Sequence, residues 1–165
     1  LFEQPSFIVV GSPSAARRLV GAQPEAFARE PLLGDNDVWK DWFAAAGLRV
    51  NVRTVAVFND AGLMLQAAEQ SLGLALAREI HAADALIDGR LVRLSPITVT
   101  HEEAQPYHLV YPPALRDWPP LDAFRRWLRD ELDQSMAALH RSEATRGMKP
   151  RAPARKRRAA ASRKP

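Results

Sequence analysis

The run Leu72-Gly73-Leu74-Ala75-Leu76-Ala77 constrains the fold more than any other segment, because nearly every position in it is apolar. A strand with one solvated face alternates polar and apolar residues, whereas an unbroken apolar run suits a strand that is covered on both faces. Coverage on both faces is typical of α/β sheets. The run is also far shorter than the roughly 20 apolar residues that a membrane-spanning helix needs.

Short apolar runs and helix patterns alternate along the rest of the chain. Besides the run at 72–77, we predict strands at residues 7–10, 31–33, 52–58, 91–94, 97–100 and 107–111. We predict helices at residues 13–20, 24–29, 39–46, 61–71 and 79–87, and a last helix after Pro119-Pro120. This alternation favours an α/β fold with a mainly parallel sheet.

An aromatic stripe marks the helix predicted at residues 39–46. Trp39, Trp42, Phe43 and Ala46 recur at the spacing that places side chains on one helix face, and Gly47 is a typical residue just beyond a helix end. Because these aromatic residues share one face, we expect them to form core rather than a platform for a ligand.

Two later helices also carry stripes of small or apolar residues. The helix predicted at residues 61–71 places Leu63, Ala67 and Ser71 on one side. The last helix carries a longer apolar stripe, formed by Leu121, Phe124, Leu128, Leu132 and Met136. A stripe of this kind predicts a helix that packs one face against another part of the domain.

The charge distribution divides the chain into a body at residues 1–140 and a tail at residues 141–165. The body carries 13 basic and 18 acidic residues, a net charge of −5, whereas the tail carries 10 basic and 1 acidic, a net charge of +9. Residues 142–165 lack apolar periodicity, so we predict disorder there. The tail is either a solvated segment or a sequence-independent contact to nucleic-acid phosphates, made by Arg151, Arg155, Lys156, Arg157, Arg158, Arg163 and Lys164.

The residues that enzymes need do not occur in recognisable patterns. The chain has no cysteine, and its four histidines are scattered without metal-ligand spacing. Gly11-Ser12-Pro13 lacks the glycines of a phosphate loop, and no Gly-x-Ser-x-Gly motif occurs. His101-Glu102-Glu103 lies between predicted strands, which favours a solvated loop over an acid–base cluster. We therefore expect no enzyme, no cofactor and no metal.

Five segments, taken in order, resemble the effector-binding domain of LysR-type transcriptional regulators, in the subgroup typified by the glycine-cleavage activator. Each segment alone is common, and the order and spacing of all five carry the resemblance. They are Phe7-Ile8-Val9-Val10-Gly11-Ser12-Pro13, Trp39-Lys40-Asp41-Trp42-Phe43 after Pro31-Leu32-Leu33, Phe58-Asn59-Asp60-Ala61 through Leu74-Ala75-Leu76-Ala77, Asp88-Gly89-Arg90-Leu91-Val92-Arg93, and Tyr107-His108-Leu109-Val110-Tyr111 with Phe124-Arg125-Arg126-Trp127-Leu128.

The resemblance implies a fold like that of type 2 periplasmic binding proteins, with two α/β subdomains joined by crossover strands. Residues 1–140 would hold one complete subdomain, with a mixed sheet flanked by helices, and the C-terminal remnant of the other. The last helix, with Trp127, would pack on the missing part. A winged helix-turn-helix that reads DNA would precede this chain, which starts without Met and without an export signal. We therefore expect a cytoplasmic fragment that self-associates.

In such a fold a small-molecule effector lies in the cleft between the subdomains, beyond strand ends. The resemblance implies that three groups of residues edge this cleft. The alternative is structural, since Ser12, Asp35, Asn59 and Asp60 are all common helix caps or turn residues. Asp60 would also repel a simple anion. The predicted groups are Val10, Gly11 and Ser12; Gly34 and Asp35; and Asn59, Asp60, Ala61 and Gly62.

Two other functional classes stay open at this point. A solute-binding protein of a transporter shares the fold and differs by an export signal upstream of Leu1. A nucleic-acid-binding protein acting through its tail is favoured by the tail's charge and not by the acidic body. A regulator is the reading that the five segments favour most.

Overall fold

A four-stranded sheet in the order β2-β3-β1-β4 lies at the centre of the computed structural model, which describes residues 6–101 and 106–145. The strands are β1 (Ser6–Gly11), β2 (Leu32–Leu33), β3 (Leu74–Arg78) and β4 (Val92–Thr100). Strand β2 is parallel to β3, but β1 is antiparallel to both β3 and β4. The sheet of the described residues is therefore mixed, and the prediction of a mainly parallel sheet is wrong.

Helices cover both faces of this sheet. They are α1 (Pro13–Arg18), α2 (Pro24–Phe27), α3 (Asn36–Ala45), α4 (Ala61–Glu69), α5 (Glu79–Ile87) and α6 (Pro119–Thr145). Successive strand residues alternate between the two layers: Ile8 and Val10 pack with α4, α5 and α6, whereas Val9 packs with α2 and α3. Because β3 does the same, residues 74–77 are buried on both faces, as predicted, whereas Leu72 of the predicted run lies outside β3 and is 61% exposed.

The layer beneath α3 is built from aromatic rings. Trp39, Trp42 and Phe43 are at most 1% exposed, and Phe27 stacks on Trp42 with ring centroids 5.4 Å apart. The buried indole N–H groups find acceptors, since Trp39 Nε1 donates to Leu33 O at 2.8 Å. The prediction that these residues form core is confirmed. The layer also fixes α3 against β2.

The opposite layer is filled by small and aliphatic residues. In α4 the buried residues are Met64, Leu65, Ala67 and Ala68, whereas Leu63 is 55% exposed, so the stripe predicted through Leu63 and Ser71 is wrong. Helix α4 ends at Glu69, and Ser71 has a φ of +63°, beyond the helix end. Helix α5 has the bounds that the sequence predicted.

Four of the predicted strands differ from the structure. Residues 52–58 form a single bridge, Leu33 to Ala56, because β2 offers only two residues for pairing. Residues 92–94 and 97–100 belong to one strand, β4, in which an irregular register opposite Ile8 and Val10 accommodates Pro96. Residues 107–111 form no strand in the described structure.

Helix α6 is longer than its apolar stripe. It continues to Thr145, past the boundary predicted at residue 140, so residues 142–145 are helical rather than disordered. Leu121 and Leu139 are buried within the described structure, whereas Phe124 and Trp127 are 43% and 56% exposed. The exposed pair lies on the face that we predicted to contact the missing subdomain. The basic residues predicted to contact nucleic acid lie outside the described residues.

Candidate effector site

The parallel strands define one edge of the sheet at which their carboxyl ends meet. Leu33 pairs with both Ala75 and Ala56 in parallel, so β2, β3 and the segment at 52–58 end on the same side. We call this the carboxyl-end edge. It carries Gly34 after β2, residues 59–62 after the bridge segment, and Arg78 at the end of β3. Ligands of open α/β sheets bind beyond strand ends of this kind.

Two of the three predicted groups meet at this edge. Asp60 caps α4, its Oδ1 accepting from the backbone N–H of Leu63 at 2.8 Å, and Asp35 caps α3 in the same way. Gly34 has a φ of +99°, and a Cβ there would lie 2.9 Å from Met64 Sδ in the first turns of α4. The turn at 34–36 therefore lies against α4. The capping role expected for Asp60 is present, and Asp35 caps α3, which starts at Asn36 rather than at Trp39 as predicted.

The start of α5 adds residues that the motifs did not indicate. Arg78 lies with its guanidinium carbon 4.6 Å from the Tyr107 ring centre and 5.7 Å from that of Phe7. Tyr107 Oη lies 2.6 Å from His81 Nε2. Arg78 is the N-cap residue of α5 and makes no side-chain capping bond. The first N–H groups of α5 lie at the positive end of the helix dipole. The carboxyl-end edge thus carries the N-termini of α3, α4 and α5.

The protonation state of His81 depends on its burial and on the charges of Arg78 and Asp60. Partial burial of the imidazole lowers the pKa of His81 below its ordinary value of 6.5, because less water remains to solvate the cation. The positive charge of Arg78 lowers this pKa further, whereas the Asp60 carboxylate opposes the shift. His81 is therefore neutral at pH 7, where one ring nitrogen donates and the other accepts.

The remaining predicted group lies elsewhere. Because β1 is antiparallel to β3, Phe7 pairs with Arg78 at the carboxyl-end edge, whereas Val10 pairs with Ala75 and Gly11 extends beyond it. Val10 is 0% and Ser12 is 2% exposed. The structure therefore does not bring Val10, Gly11 and Ser12 to the other two groups, since the direction of β1 carries them to the opposite side of the sheet.

At this opposite edge three serine hydroxyl groups bond to one another. Ser12 Oγ lies 2.8 Å from the Oγ atoms of both Ser14 and Ser71, and Ser14 and Ser71 are 3.0 Å apart. Ser12 Oγ also accepts from the backbone N–H of Ala15, as the cap of α1. Each hydroxyl therefore has partners within the protein. The arrangement ties the start of α1 to the end of α4.

The carboxyl-end edge combines groups of opposite character. Asp60 offers an acceptor, Arg78 a cation, and His81 and Tyr107 donate or accept. No group of three or more His, Asp or Glu side chains is placed to hold a metal ion among residues 6–101 and 106–145. In the same part of the chain, none of the helices has the length and apolarity that crossing a membrane requires. The arrangement suits the binding of a polar organic molecule.

Comparison with known proteins identifies the class. Residues 1–133 match the family described as the LysR substrate binding domain, and the chain belongs to that family. The transcriptional activator AmpR of Citrobacter koseri, described as of the helix-turn-helix type, is 32% identical over 136 residues, which is 78% of this chain and 43% of that protein. The match does not single out the glycine-cleavage-activator subgroup.

Solved structures agree on the fold. The effector domain of the transcriptional regulator AmpR of Pseudomonas aeruginosa superposes with a TM-score of 0.58 at 25% identity, covering 83% of this chain and 64% of that one. The AmpR effector binding domain of Citrobacter freundii gives 0.59 at 22% identity, over 79% of this chain and 65% of that one. The α/β fold is thus that of LysR effector-binding domains. The chain spans less than half the length of the curated relative that it matches.

Proposed function

We propose that this chain is the effector-sensing part of a LysR-type DNA-binding transcriptional regulator and that it binds a small-molecule co-inducer in a cleft at the carboxyl-end edge. The observation that carries the proposal is the convergence of two helix N-termini, those of α4 and α5, with Arg78, His81 and Tyr107 at one edge of the sheet. Helix N-termini attract negatively charged or electron-rich groups.

The charges at the edge favour one kind of effector. Asp60 would repel a simple carboxylate, as expected from the sequence, while Arg78 and the uncapped start of α5 attract one. A ligand with a donor or cation at one end and an acceptor at the other satisfies both sides. We therefore propose an amphoteric, amino-acid-like or peptide-like effector, held between the two helix N-termini.

The resemblance implies that β1 is one of the two crossover strands between the subdomains, and we propose that binding acts through it. Phe7 lies at the carboxyl-end edge and is the residue of β1 that faces Arg78 in register. An effector that contacts both subdomains favours one hinge angle, because it binds one arrangement better than the other. In the full regulator this angle would set the spacing of paired DNA-binding domains. The isolated chain would self-associate through exposed apolar residues such as Phe124 and Trp127, which the missing subdomain would otherwise cover.

Under this proposal the protein is a cytoplasmic regulator and not an enzyme. A helix-turn-helix upstream of Leu1 would bind the DNA. The matched relative of the chain is a transcriptional activator, which favours a regulator over a transporter's solute-binding protein. The test is to read the coding sequence upstream of Leu1. We expect a winged helix-turn-helix followed by the front of the first subdomain. An export signal there would contradict the proposal and favour transport.

A further inference from the structure

One buried cluster of charged side chains lies outside the candidate site. Arg93, on β4, is 3% exposed, and its Nη1 donates to Glu79 Oε1 at 2.9 Å and to both carboxylate oxygens of Glu143, at 3.1 and 3.2 Å. Glu79 is 9% and Glu143 5% exposed. Ser6 Oγ donates to the other oxygen of Glu79 at 2.9 Å. The cluster therefore joins β1, β4, α5 and α6.

The position of Glu143 in the chain makes this contact informative. The family match ends at residue 133, so Glu143 lies in a part of α6 beyond the matched residues. An acidic residue in the last turn of a helix faces the negative end of the helix dipole, which disfavours it unless a cation compensates. Arg93 supplies that cation. Leu139, one turn earlier, is fully buried against the α5 layer.

Glu79 connects the cluster to the candidate site. It is the first residue of α5, directly after Arg78 and two residues before His81. Arg93 Nε donates to Ser95 O, and its Nη2 is buried without an acceptor within residues 6–101 and 106–145. The guanidinium thus holds both carboxylates through Nη1. Removing Glu143 would leave a buried cation with one carboxylate instead of two, and buried charge pairs respond strongly to the loss of a partner.

We propose that Glu143, acting through Arg93, is a positioning residue for the effector site, so that the end of α6 holds the start of α5 in place. The assignment of the site rests on the function proposed above. The positioning itself does not, because it concerns contacts within this chain. Through this connection, a change at the end of α6 alters the place of Arg78 and His81 at the carboxyl-end edge.

The test uses the full chain with Glu143→Gln, which keeps the shape of the side chain and removes its charge. The histidine ring signals are followed by NMR over pH 5 to 8. We expect the pKa of His81 to rise toward 6.5, because a displaced α5 leaves the ring better solvated. The loss of a negative charge alone would lower this pKa, so the direction separates movement from electrostatics.

The matched control is Glu131→Gln, the same change at an exposed position of α6. The indole N–H signal of Trp39, bonded to Leu33 O in the other layer, reports on the rest of the fold. We expect Glu143→Gln to raise the pKa of His81 and to leave the indole N–H signal of Trp39 unchanged. We expect Glu131→Gln to change neither. An unchanged or lowered His81 pKa, or a parallel shift of Trp39, overturns the proposal. If Glu143→Gln does not fold, the same measurements are made on Glu143→Asp, which keeps the charge and shortens the side chain.

Discussion

The two edges of the sheet differ in how their polar groups are bonded. At the opposite edge, Ser12, Ser14 and Ser71 satisfy one another, and Gly11 and Gly73 allow close approach. At the carboxyl-end edge, Asp60, Arg78, His81 and Tyr107 converge from three separate segments. Closely packed, mutually bonded groups stabilise a fold, whereas groups of opposite charge around helix N-termini can exchange their partners for a ligand.

Gly73→Ala should have the largest effect, and it should act on stability alone. A Cβ at Gly73 would lie 2.6 Å from Pro31 O and 2.9 Å from Leu33 Cγ, so the backbone must shift. We expect a loss of about 3 kcal/mol in the free energy of unfolding, measured by urea denaturation. Gly89→Ala is the control: its φ is +77° with no atom within 4 Å, and it should cost about 1 kcal/mol. Equal losses would show that the opposite edge is loosely packed.

Asp60→Ala and Asp35→Ala should separate the effect of a helix cap on stability from the effect of the Asp60 charge on the pKa of His81. Each change removes a carboxylate that accepts a backbone N–H at a helix start, and each should cost about 1 kcal/mol of stability. The Asp60 charge also raises the pKa of His81. Asp60→Ala should therefore lower the His81 pKa further, as measured by NMR titration, and Asp35→Ala should not. The same shift in both variants would contradict the arrangement at the carboxyl-end edge.

Ser71→Gly should stabilise the opposite edge by up to about 1 kcal/mol, because Ser71 has a φ of +63° that glycine adopts without steric cost. Ser14→Ala, which removes another of the three hydroxyl groups without changing the backbone, measures what the hydroxyl contacts contribute. Thermal unfolding of both variants tests this. A loss of stability in Ser71→Gly larger than that in Ser14→Ala would mean that the hydroxyl cluster outweighs the backbone strain.

The smallest expected effect is a change in the pH dependence of stability when His81, at the carboxyl-end edge, is replaced. The folded pKa of His81 is lower than its ordinary value, so the unfolded chain binds the proton more tightly. The contribution of His81 to stability is therefore present above pH 6.5 and is lost as the pH falls below it. His81→Gln should flatten the decline in unfolding free energy between pH 7 and 5. An unchanged slope would show that His81 titrates alike in both states.

The sequence predicted the elements whose signals are local. Helices α3 and α5 follow from residue patterning and from the glycines after them, and β3 follows from a run of apolar residues. Residues 52–58 have strand propensity, yet a ladder needs a partner, and β2 supplies two residues. Propensity cannot report the length of a neighbouring strand.

The candidate site depends on information that local patterns lack. Asp60 and Gly34 were found because they follow strands, a local signal. Ser12 follows a strand as well, but β1 runs in the opposite direction, and strand direction within a sheet depends on the tertiary fold. Arg78, His81 and Tyr107 carry no motif, since Tyr107 approaches His81 from 26 residues away. The charge of Arg78 at the end of an apolar strand, next to a helix start, is the signal that could have indicated it.

The most direct test of the account is to map ligand contacts on the backbone amides of the chain by NMR. The probes are the common amino acids and small dipeptides, added singly. The account predicts that a binding probe shifts the amide signals of Ala61, Gly62 and Ile80, at the starts of α4 and α5, and leaves those of Ser12 and Ser71 in place. Shifts centred on Ser12 and Ser71, or no shift with any probe, would contradict the assignment of the effector site to the carboxyl-end edge.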